Sequence, residues 1–389
     1  MRHHLYNPDF RFVHEPFEFT RFTERELLQY CLGATLYMPG TKDILNKILA
    51  KGMVGLTSMV MCFEDAIKEE DLGAAERNVL HFLEGISQAL ASGRISENDL
   101  PLFLIRVRTP DQFKSFADRL TTSDKRLITG FVFPKFTTGN GYLYLTQLAE
   151  LNRNSDDLLY GLPILESREI AFKESRTYEL TGIRNLLKPY KDMILNIRVG
   201  ATDFSSNFGV RRGMDYSIYD IMMVRDCLSD ILNFLSRQDD GYVISAPVWE
   251  YFLADESMKF KELPSMDIHG SLLKRNSIVN PAIDGLLREV ILDKANGFVG
   301  KTIIHPSHMK YVNAMQAVTR EEYGDAMQIL QTQGGVVKSA QSNKMNEINP
   351  HRSWAIKIAN KAKAYGVIES GESYASLFSA RESIHLGGK

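Results

Sequence analysis

The sequence has little of several features that would identify a class of function at once. It contains only three cysteines, Cys31, Cys62 and Cys227, which are odd in number, far apart and not at a metal-binding spacing. Its net charge is −2, so it lacks the basic excess that binds nucleic acid or an anionic membrane. No apolar run is long enough to cross a bilayer, and the first residues lack the apolar segment of a secretory signal. These absences predict a reduced, cytoplasmic protein.

The sequence does show a regular alternation of short apolar runs and amphipathic segments. Hydrophobic residues make up 44% of the chain and charged residues 24%, which are ordinary values for a globular protein. Eight apolar runs have the length and composition of buried strands, and helical periodicity follows each of them. The predicted strands are 33–38, 55–63, 102–107, 128–133, 162–165, 194–199, 242–246 and 301–304.

Eight successive strand–helix units predict an α/β protein built as a closed (β/α)8 barrel, the TIM-barrel architecture. A doubly wound open sheet is the alternative, but no Gly-x-Gly-x-x-Gly follows the first strand. We therefore predict an N-terminal arm (1–32), a barrel (33–318) and a helical C-terminal extension (319–389). The weakly patterned stretch 251–282 is long enough to be a lid or a subunit contact.

Acidic side chains follow two neighbouring predicted strands where each strand ends. Glu166 follows the fifth strand, and Asp203 lies just beyond the sixth, after Gly200. Barrel enzymes place their chemistry at the carboxyl ends of the strands, so we expect these carboxylates to lie close together. Mg²⁺ usually takes one or two carboxylates and leaves its other positions to water and substrate. Each acid alone could instead cap the following helix, but their repetition favours a metal site.

Further charged residues occur at the same predicted rim: Glu64 and Asp65 after the second strand, Arg106 in the third and Lys135 after the fourth. Carboxylates clustered without a cation would repel each other, and Mg²⁺ together with Arg106 and Lys135 would relieve that repulsion. His305 follows the eighth strand, where a His-Pro pair is more typical of a structural turn than of a metal ligand.

Arg106 lies inside an apolar run, where an unpaired guanidinium would be costly. Its partner could be Glu64 or Asp65 in a buried ion pair. It could instead be a substrate carboxylate, which arginine binds with two parallel hydrogen bonds. We favour the substrate.

Seven short motifs at these strand ends resemble, in order, those of the citrate lyase β-subunit-like proteins, within the HpcH/HpaI aldolase superfamily. Together they span about residues 33–310. They are Tyr37-Met-Pro-Gly40, Phe63-Glu-Asp-Ala66, Ile105-Arg-Val107, Phe133-Pro-Lys135, Pro163-Ile-Leu-Glu-Ser167, Gly200-Ala-Thr-Asp-Phe204 and Gly297-Phe-Val-Gly-Lys-Thr-Ile-Ile-His-Pro306.

The resemblance implies a (β/α)8 barrel, usually oligomeric, that makes or cleaves a carbon–carbon bond next to a carboxylate. Glu166 and Asp203 would hold Mg²⁺, which would stabilise the enolate left by cleavage, and an acyl-CoA is often the partner. Arg106 would hold the substrate carboxylate and Lys135 would add positive potential. The remaining candidate residues are Glu64 and Asp65, which would orient water on the metal, and the substrate contacts Pro39, Gly40, Gly200, Ala201 and Thr202.

The sequence departs from the family pattern in three places. Thr202 replaces an acid, Arg108 replaces an asparagine and would add charge near the substrate, and Lys344-Met-Asn-Glu347 faintly resembles a C-terminal motif of CoA-using relatives. The acid of that motif is catalytic in a neighbouring subunit's site, which makes Glu347 a candidate catalytic residue. These changes suggest a divergent branch, similar to the lyases of tellurite and stress-resistance gene clusters. The alternatives are a phosphoenolpyruvate-type barrel enzyme and a non-catalytic barrel subunit.

Overall fold

Eight parallel strands follow one another along the chain in the computed structural model, which describes residues 2–153, 155, 157–238, 241–252, 278–340 and 343–379. These strands are β1 (Ala34–Pro39), β2 (Ser58–Cys62), β3 (Leu102–Arg106), β4 (Ile128–Phe133), β5 (Tyr160–Leu165), β6 (Ile197–Val199), β7 (Ile244–Ser245) and β8 (Lys301–Ile303).

The strands form one sheet in the order β7-β6-β5-β4-β3-β2-β1-β8, so each strand lies beside its neighbour in sequence. A parallel bridge between Ala246 and Lys301 joins the two outermost strands. There the Ala246 amide donates to the Gly300 carbonyl, and the Thr302 amide donates to the Ala246 carbonyl, both at 3.1 Å. These contacts close the sheet and confirm the predicted (β/α)8 barrel.

Helices alternate with the strands because the intervening segments carry an apolar stripe and suitable ends. In the segment after β2, for example, Val79, Leu83 and Ile86 recur at helical spacing and are buried. Thr109 caps the helix after β3 by accepting a hydrogen bond from the Gln112 amide. The N-terminal arm contains α1 (Arg25–Leu28). The barrel helices are α2 (Leu45–Leu49), α3 (Leu72–Ala91), α4 (Pro110–Ala117), α5 (Thr122–Leu127), α6 (Thr138–Arg153), α7 (Arg168–Ala171), α8 (Lys173–Leu187), α9 (Ala201–Asn207), α10 (Met222–Leu235), α11 (Pro281–Ala295) and α12 (Met309–Met315).

After the barrel the chain forms α13 (Arg320–Gln331), α14 (Ile348–Tyr365) and α15 (Tyr374–Phe378) with four short strands. Strand β9 (Val318–Thr319) pairs with β12 (Val367–Ile368), and β10 (Val336–Lys338) pairs with β11 (Met345–Glu347). Most of the predicted lid or subunit contact, residues 253–277, lies outside the described residues. Across the described ranges, no helix has both the length and the apolar character needed to span a bilayer.

The alternation of side chains along each strand divides the core into two parts. Val60 and Leu104 belong to an inner cluster, whereas Met61 and Ile105 pack toward the helices. Phe19 of the N-terminal arm and Tyr365 of α14 join the inner cluster. The arm and the C-terminal extension therefore complete the core of the barrel.

The N-terminal arm is fixed to the C-terminal extension by buried histidines. The His4 ring nitrogen Nε2 lies 2.9 Å from the carbonyl oxygen of Tyr365, and the side chain is 1% exposed. Burial lowers the pKa of His4 to about 4, although the contact with the Tyr365 carbonyl acts in the opposite direction. His4 is therefore neutral in the folded protein at pH 5.

The burial of His4 should cost the fold stability between pH 7 and pH 5. The unfolded His4, with its pKa near 6.5, takes up a proton that the folded residue does not, so its contribution is complete above about pH 6.5 and decreases as the pH falls toward 4. At pH 5 the loss from His4 should be about 2 kcal/mol. The pKa values of the buried His3 and His308 are lowered as well, so His4→Gln should make the pH dependence of the unfolding free energy in urea shallower without abolishing it.

The exposed His81 provides the control, because His81→Gln should leave that pH dependence unchanged. An identical pH dependence in His4→Gln and in the unsubstituted protein would contradict the assignment.

Candidate active site

A cavity of about 370 Å³ opens at the carboxyl ends of the barrel strands. Its wall is formed by residues at or near the ends of β1, β2, β3, β5, β6 and β8, and by Val248 after β7. The charged residues that line it are Asp65, Arg106, Glu166, Arg198 and Asp203. The rim that the sequence predicted as the site of chemistry is therefore a real concave surface, with acids and cations together.

Glu166 is buried where β5 meets β6. Its Oε1 accepts a hydrogen bond of 3.0 Å from the Lys135 backbone amide. On the other side it packs against Gly200, where an added Cβ would overlap the Glu166 carboxylate and lie only 2.6 Å from its Cβ. The glycine at position 200 is therefore required for the close approach of the two strand ends.

Arg106 is paired with acids of its own chain. Its Nη2 lies 2.6 Å from Glu64 Oε2, 3.1 Å from Glu166 Oε1 and 3.4 Å from Asp65 Oδ2. The sequence left two possible partners for Arg106, an internal acid or a substrate carboxylate, and the structure shows internal acids. All three contacts use Nη2, and no hydrogen bond from Nη1 is found within the described ranges. A substrate contact through Nη1 therefore stays a prediction.

Lys135 holds the same acids from the opposite side. Its Nζ forms ion pairs with Glu64 and with Asp65, the latter at 3.1 Å. Partial burial acts to lower the pKa of Lys135, but hydrogen bonds and charges from the two carboxylates raise it above its usual value. The backbone of Lys135 has φ of +46°, a region that side-chain-bearing residues rarely adopt. The lysine is thus charged and held in a constrained turn.

Negative charge exceeds positive charge around the carboxylates. Glu64, Asp65, Glu166 and Asp203 would carry four negative charges, whereas Arg106, Lys135 and the cavity residue Arg198 carry three positive ones, which leaves an excess of one.

Burial raises the pKa of Glu166 to about 7, against the effect of Arg106, and the charge of Asp203 adds to the rise. Burial also raises the pKa of Asp203, and Asp65 adds to that rise. Asp203 has no ion pair within the part of the chain that the structure describes. A divalent cation beside Glu166 and Asp203 would relieve this repulsion.

Glu166 and Asp203 supply carboxylate oxygens, the type of ligand that magnesium prefers. Among the described residues, no group of three or more histidine, cysteine, aspartate or glutamate side chains is arranged to hold an ion. Two carboxylates with room for water and substrate are the usual magnesium ligands. The predicted pair, Glu166 and Asp203, therefore fits Mg²⁺.

Only some of the residues predicted to contact substrate line the cavity. Pro39, Gly200 and Thr202 line the cavity. Gly40 instead packs against the Phe63 ring and donates its amide to the Cys62 carbonyl at 2.9 Å. Ala201 is buried at the start of α9. Neither of these two lines the cavity.

Glu347 belongs to the C-terminal extension and not to the wall of the cavity. It is exposed at the end of β11. Its predicted role in a neighbouring subunit's site stays a prediction.

Arg198 is a cavity residue that the sequence reasoning missed. It is 1% exposed and lies over the Tyr37 ring at 5.3 Å. Its Nη2 donates to Thr302 Oγ1 at 2.6 Å, and its Nη1 donates to Thr35 Oγ1 at 3.3 Å. No carboxylate partner for Arg198 is found in the described ranges. The sequence did contain an indication of its importance, because Arg198 lies inside the apolar run that leads to Gly200, just as Arg106 lies inside an apolar run.

Two polar residues have structural roles at the rim. Arg108 does not line the cavity, so the extra charge that the sequence suggested near the substrate stays a prediction. Its guanidinium instead binds the loop after β2, donating to the carbonyls of Phe63, at 2.9 Å, and of Ile67. His305 Nδ1 lies 2.7 Å from Ser307 Oγ and accepts from the Ser307 amide. Its side chain therefore caps a short turn.

A family model for the C-C bond lyases of the TIM-barrel fold matches residues 26–367. The chain belongs to this family. The predicted relationship to carbon–carbon lyases is therefore confirmed, and the family assignment favours a lyase over a phosphoenolpyruvate-type enzyme or a non-catalytic barrel.

Solved structures with a similar fold share little sequence identity with this chain. CitE from Mycobacterium tuberculosis, in complex with magnesium, acetoacetate and coenzyme A, is 16% identical (TM-score 0.48; 86% of this chain and 99% of that chain covered). Malate synthase from Haloferax volcanii, as a magnesium/glyoxylate complex, is 14% identical (TM-score 0.46; 76% and 74% covered). RipC from Yersinia pestis is 13% identical (TM-score 0.42; 74% and 95% covered). No curated protein sequence matches the chain significantly.

Removing Arg106 should destabilise the fold strongly. In Arg106→Ala, the buried carboxylates of Glu64 and Glu166 lose their nearest cation, and we expect a loss of about 3–5 kcal/mol in unfolding free energy in urea without added metal.

Arg320→Ala is the control, because it breaks an exposed ion pair with Glu369 and should cost about 1 kcal/mol or less. Equal losses in the two variants would show that the Arg106 cluster does not support the fold.

Proposed function

We propose that the protein is a Mg²⁺-dependent lyase that makes or cleaves a carbon–carbon bond beside a carboxylate of a small keto or hydroxy acid. The observation that carries this proposal is the pairing of Glu166 with Asp203 in a cavity where negative charge is in excess. The family assignment supports a carbon–carbon lyase, and the cavity supports the choice of a small acid.

Glu166 and Asp203 would hold the ion. Bound Mg²⁺ would supply a Lewis acid that stabilises negative charge developing on a substrate oxygen. Glu64 and Asp65, which Arg106 and Lys135 hold in place, would orient water beside the metal. Lys135 would add positive potential at the rim.

In this proposal Arg198 binds a second carboxylate of the substrate. It lies on β6 before Gly200 and thus deeper in the barrel than Asp203, which follows Gly200. A buried guanidinium without a carboxylate is suited to bind an incoming one with charge-assisted hydrogen bonds. The substrate class is therefore a dicarboxylic acid, with one carboxylate at the rim near Arg106 and the other on Arg198.

The size of the cavity limits the rest of the substrate. At about 370 Å³ it has room for a small acid, whereas an entire acyl-CoA is larger. In a reaction with an acyl-CoA, the nucleotide part would lie outside the cavity. We also propose a homo-oligomer, in which Glu347 of one subunit could reach the cavity of another.

Magnesium should raise the melting temperature by mass action, equivalent to about 2.7 kcal/mol at 100 times the dissociation constant. Asp203→Asn should abolish this response. Without Mg²⁺ the same substitution should leave the melting temperature unchanged or higher, because it removes the repulsion between Asp203 and the carboxylates of Glu166 and Asp65.

Asp118→Asn, which alters an exposed acid paired with Lys114, should keep the full magnesium response. A normal response in Asp203→Asn would place the ion elsewhere.

Arg198→Met tests the dicarboxylate assignment. The variant should bind oxaloacetate about 10- to 100-fold more weakly in calorimetric titrations with Mg²⁺, because a charge-assisted contact is lost. Binding of pyruvate, which lacks the second carboxylate, should change little. The melting temperature should be unchanged or higher, since a buried, uncompensated charge is removed. An equal loss of affinity for both acids would contradict the role given to Arg198.

A further inference from the structure

A second cavity, of about 670 Å³, lies at the opposite end of the barrel. Strand β8 relates the two cavities: Ile304, just after the strand, lines the first, and Val299, just before it, lines the second. The second cavity is enclosed by the end of α11, the start of α13 and one face of α14. It is therefore separate from the candidate active site and lies between the barrel and the C-terminal extension.

Two lysines in this cavity form no ion pair within the described ranges. Lys361 is 5% exposed, and neither its ammonium group nor that of Lys357, one helical turn earlier, has a hydrogen bond or an ion pair there. Lys294 differs, because its Nζ lies 2.8 Å from Tyr374 Oη and 3.4 Å from Glu322 Oε2. A buried ammonium group without a partner is costly. The structure thus compensates one lysine of the cavity and leaves two uncompensated.

The titration of Lys361 agrees with this environment. Burial lowers the pKa of Lys361 to about 7, the charge of Lys294 lowers it further, and Glu322 acts in the opposite direction. An anion beside Lys361 would favour the charged form.

An aromatic side chain lies next to these lysines. Trp354, Lys357 and Lys361 are spaced three and four residues apart, so they lie on the same face of α14, and all three line the cavity. Trp354 is 39% exposed, which is high for so large an apolar side chain. The buried Phe298 forms part of the opposite wall. The cavity therefore combines positive charge with aromatic surface.

We propose that this cavity binds a small aromatic anion, a planar ring that carries a carboxylate, sulfonate or phosphate group. The anionic group lies with Lys357 and Lys361, and the ring packs against Trp354. The volume suits a ligand of this kind, and cavities lined by apolar groups with a few polar ones are typical small-molecule sites. The proposal does not depend on the reaction assigned to the first cavity.

The test uses two fluorescent probes that differ in charge, with the full-length protein. 1-Anilinonaphthalene-8-sulfonate carries a sulfonate, and N-phenyl-1-naphthylamine has the same rings without it. Lys361→Met should weaken binding of the sulfonate at least tenfold, which corresponds to about 1.4 kcal/mol, and leave the uncharged probe's affinity nearly unchanged. The ligand-free variant should melt at a higher temperature, because a buried unpaired charge is removed.

Lys363→Met is the control, since Lys363 is exposed on the same helix and does not line the cavity. It should change the affinity of neither probe. Trp354→Ala should weaken both probes, because both use the ring contact.

Unchanged sulfonate affinity in a Lys357→Met/Lys361→Met double variant would overturn the proposal, as would an equal loss for both probes. A fall in the melting temperature of ligand-free Lys361→Met would show instead that the lysine supports the fold.

Discussion

The candidate active site depends on one buried guanidinium. Arg106 leaves β3 and contacts acids that follow β2 and β5, so a single side chain connects the ends of three strands. Glu64 and Glu166 could not be buried side by side as carboxylates without it, since each would lie in the field of the other. Arg108 contributes to the same arrangement by fixing the loop that carries Glu64.

The other charges follow from this arrangement. Lys135 reaches the same acids from the end of β4, and its unusual backbone conformation accompanies the hydrogen bond from its amide to Glu166. Asp203 is left as the acid without an ion pair in the part of the chain that the structure describes. At the proposed metal site, stability and metal binding would thus be coupled: the residues that organise the fold at this rim also determine where positive charge is still required. Such coupling is common where a binding site is built from groups that would repel one another in isolation.

The sequence predicted the barrel and the main acids because both depend on local patterns. Apolar runs mark the strands, and the residue after each run lies at the functional rim, as Glu166 shows. Side-chain pairing is not local. Whether Arg106 meets an acid or a substrate depends on where the neighbouring strands end. The same applies to Arg198, whose hydroxyl partners Thr35 and Thr302 are distant in sequence. The two uncompensated lysines of the second cavity were beyond prediction because only the packing of α14 on the barrel buries Lys361.

The contact between His4 and Tyr365 joins residues 361 positions apart. During synthesis the segment that carries His4 is made before α14, the helix that receives it. Phe19 and its neighbours therefore have no complete binding surface until α14 has been made. Formation of the barrel can begin with contacts between adjacent strands, but the end of the barrel that the arm covers cannot be closed before α14 has packed onto it. That interval is when the apolar arm is open to chaperones and proteases.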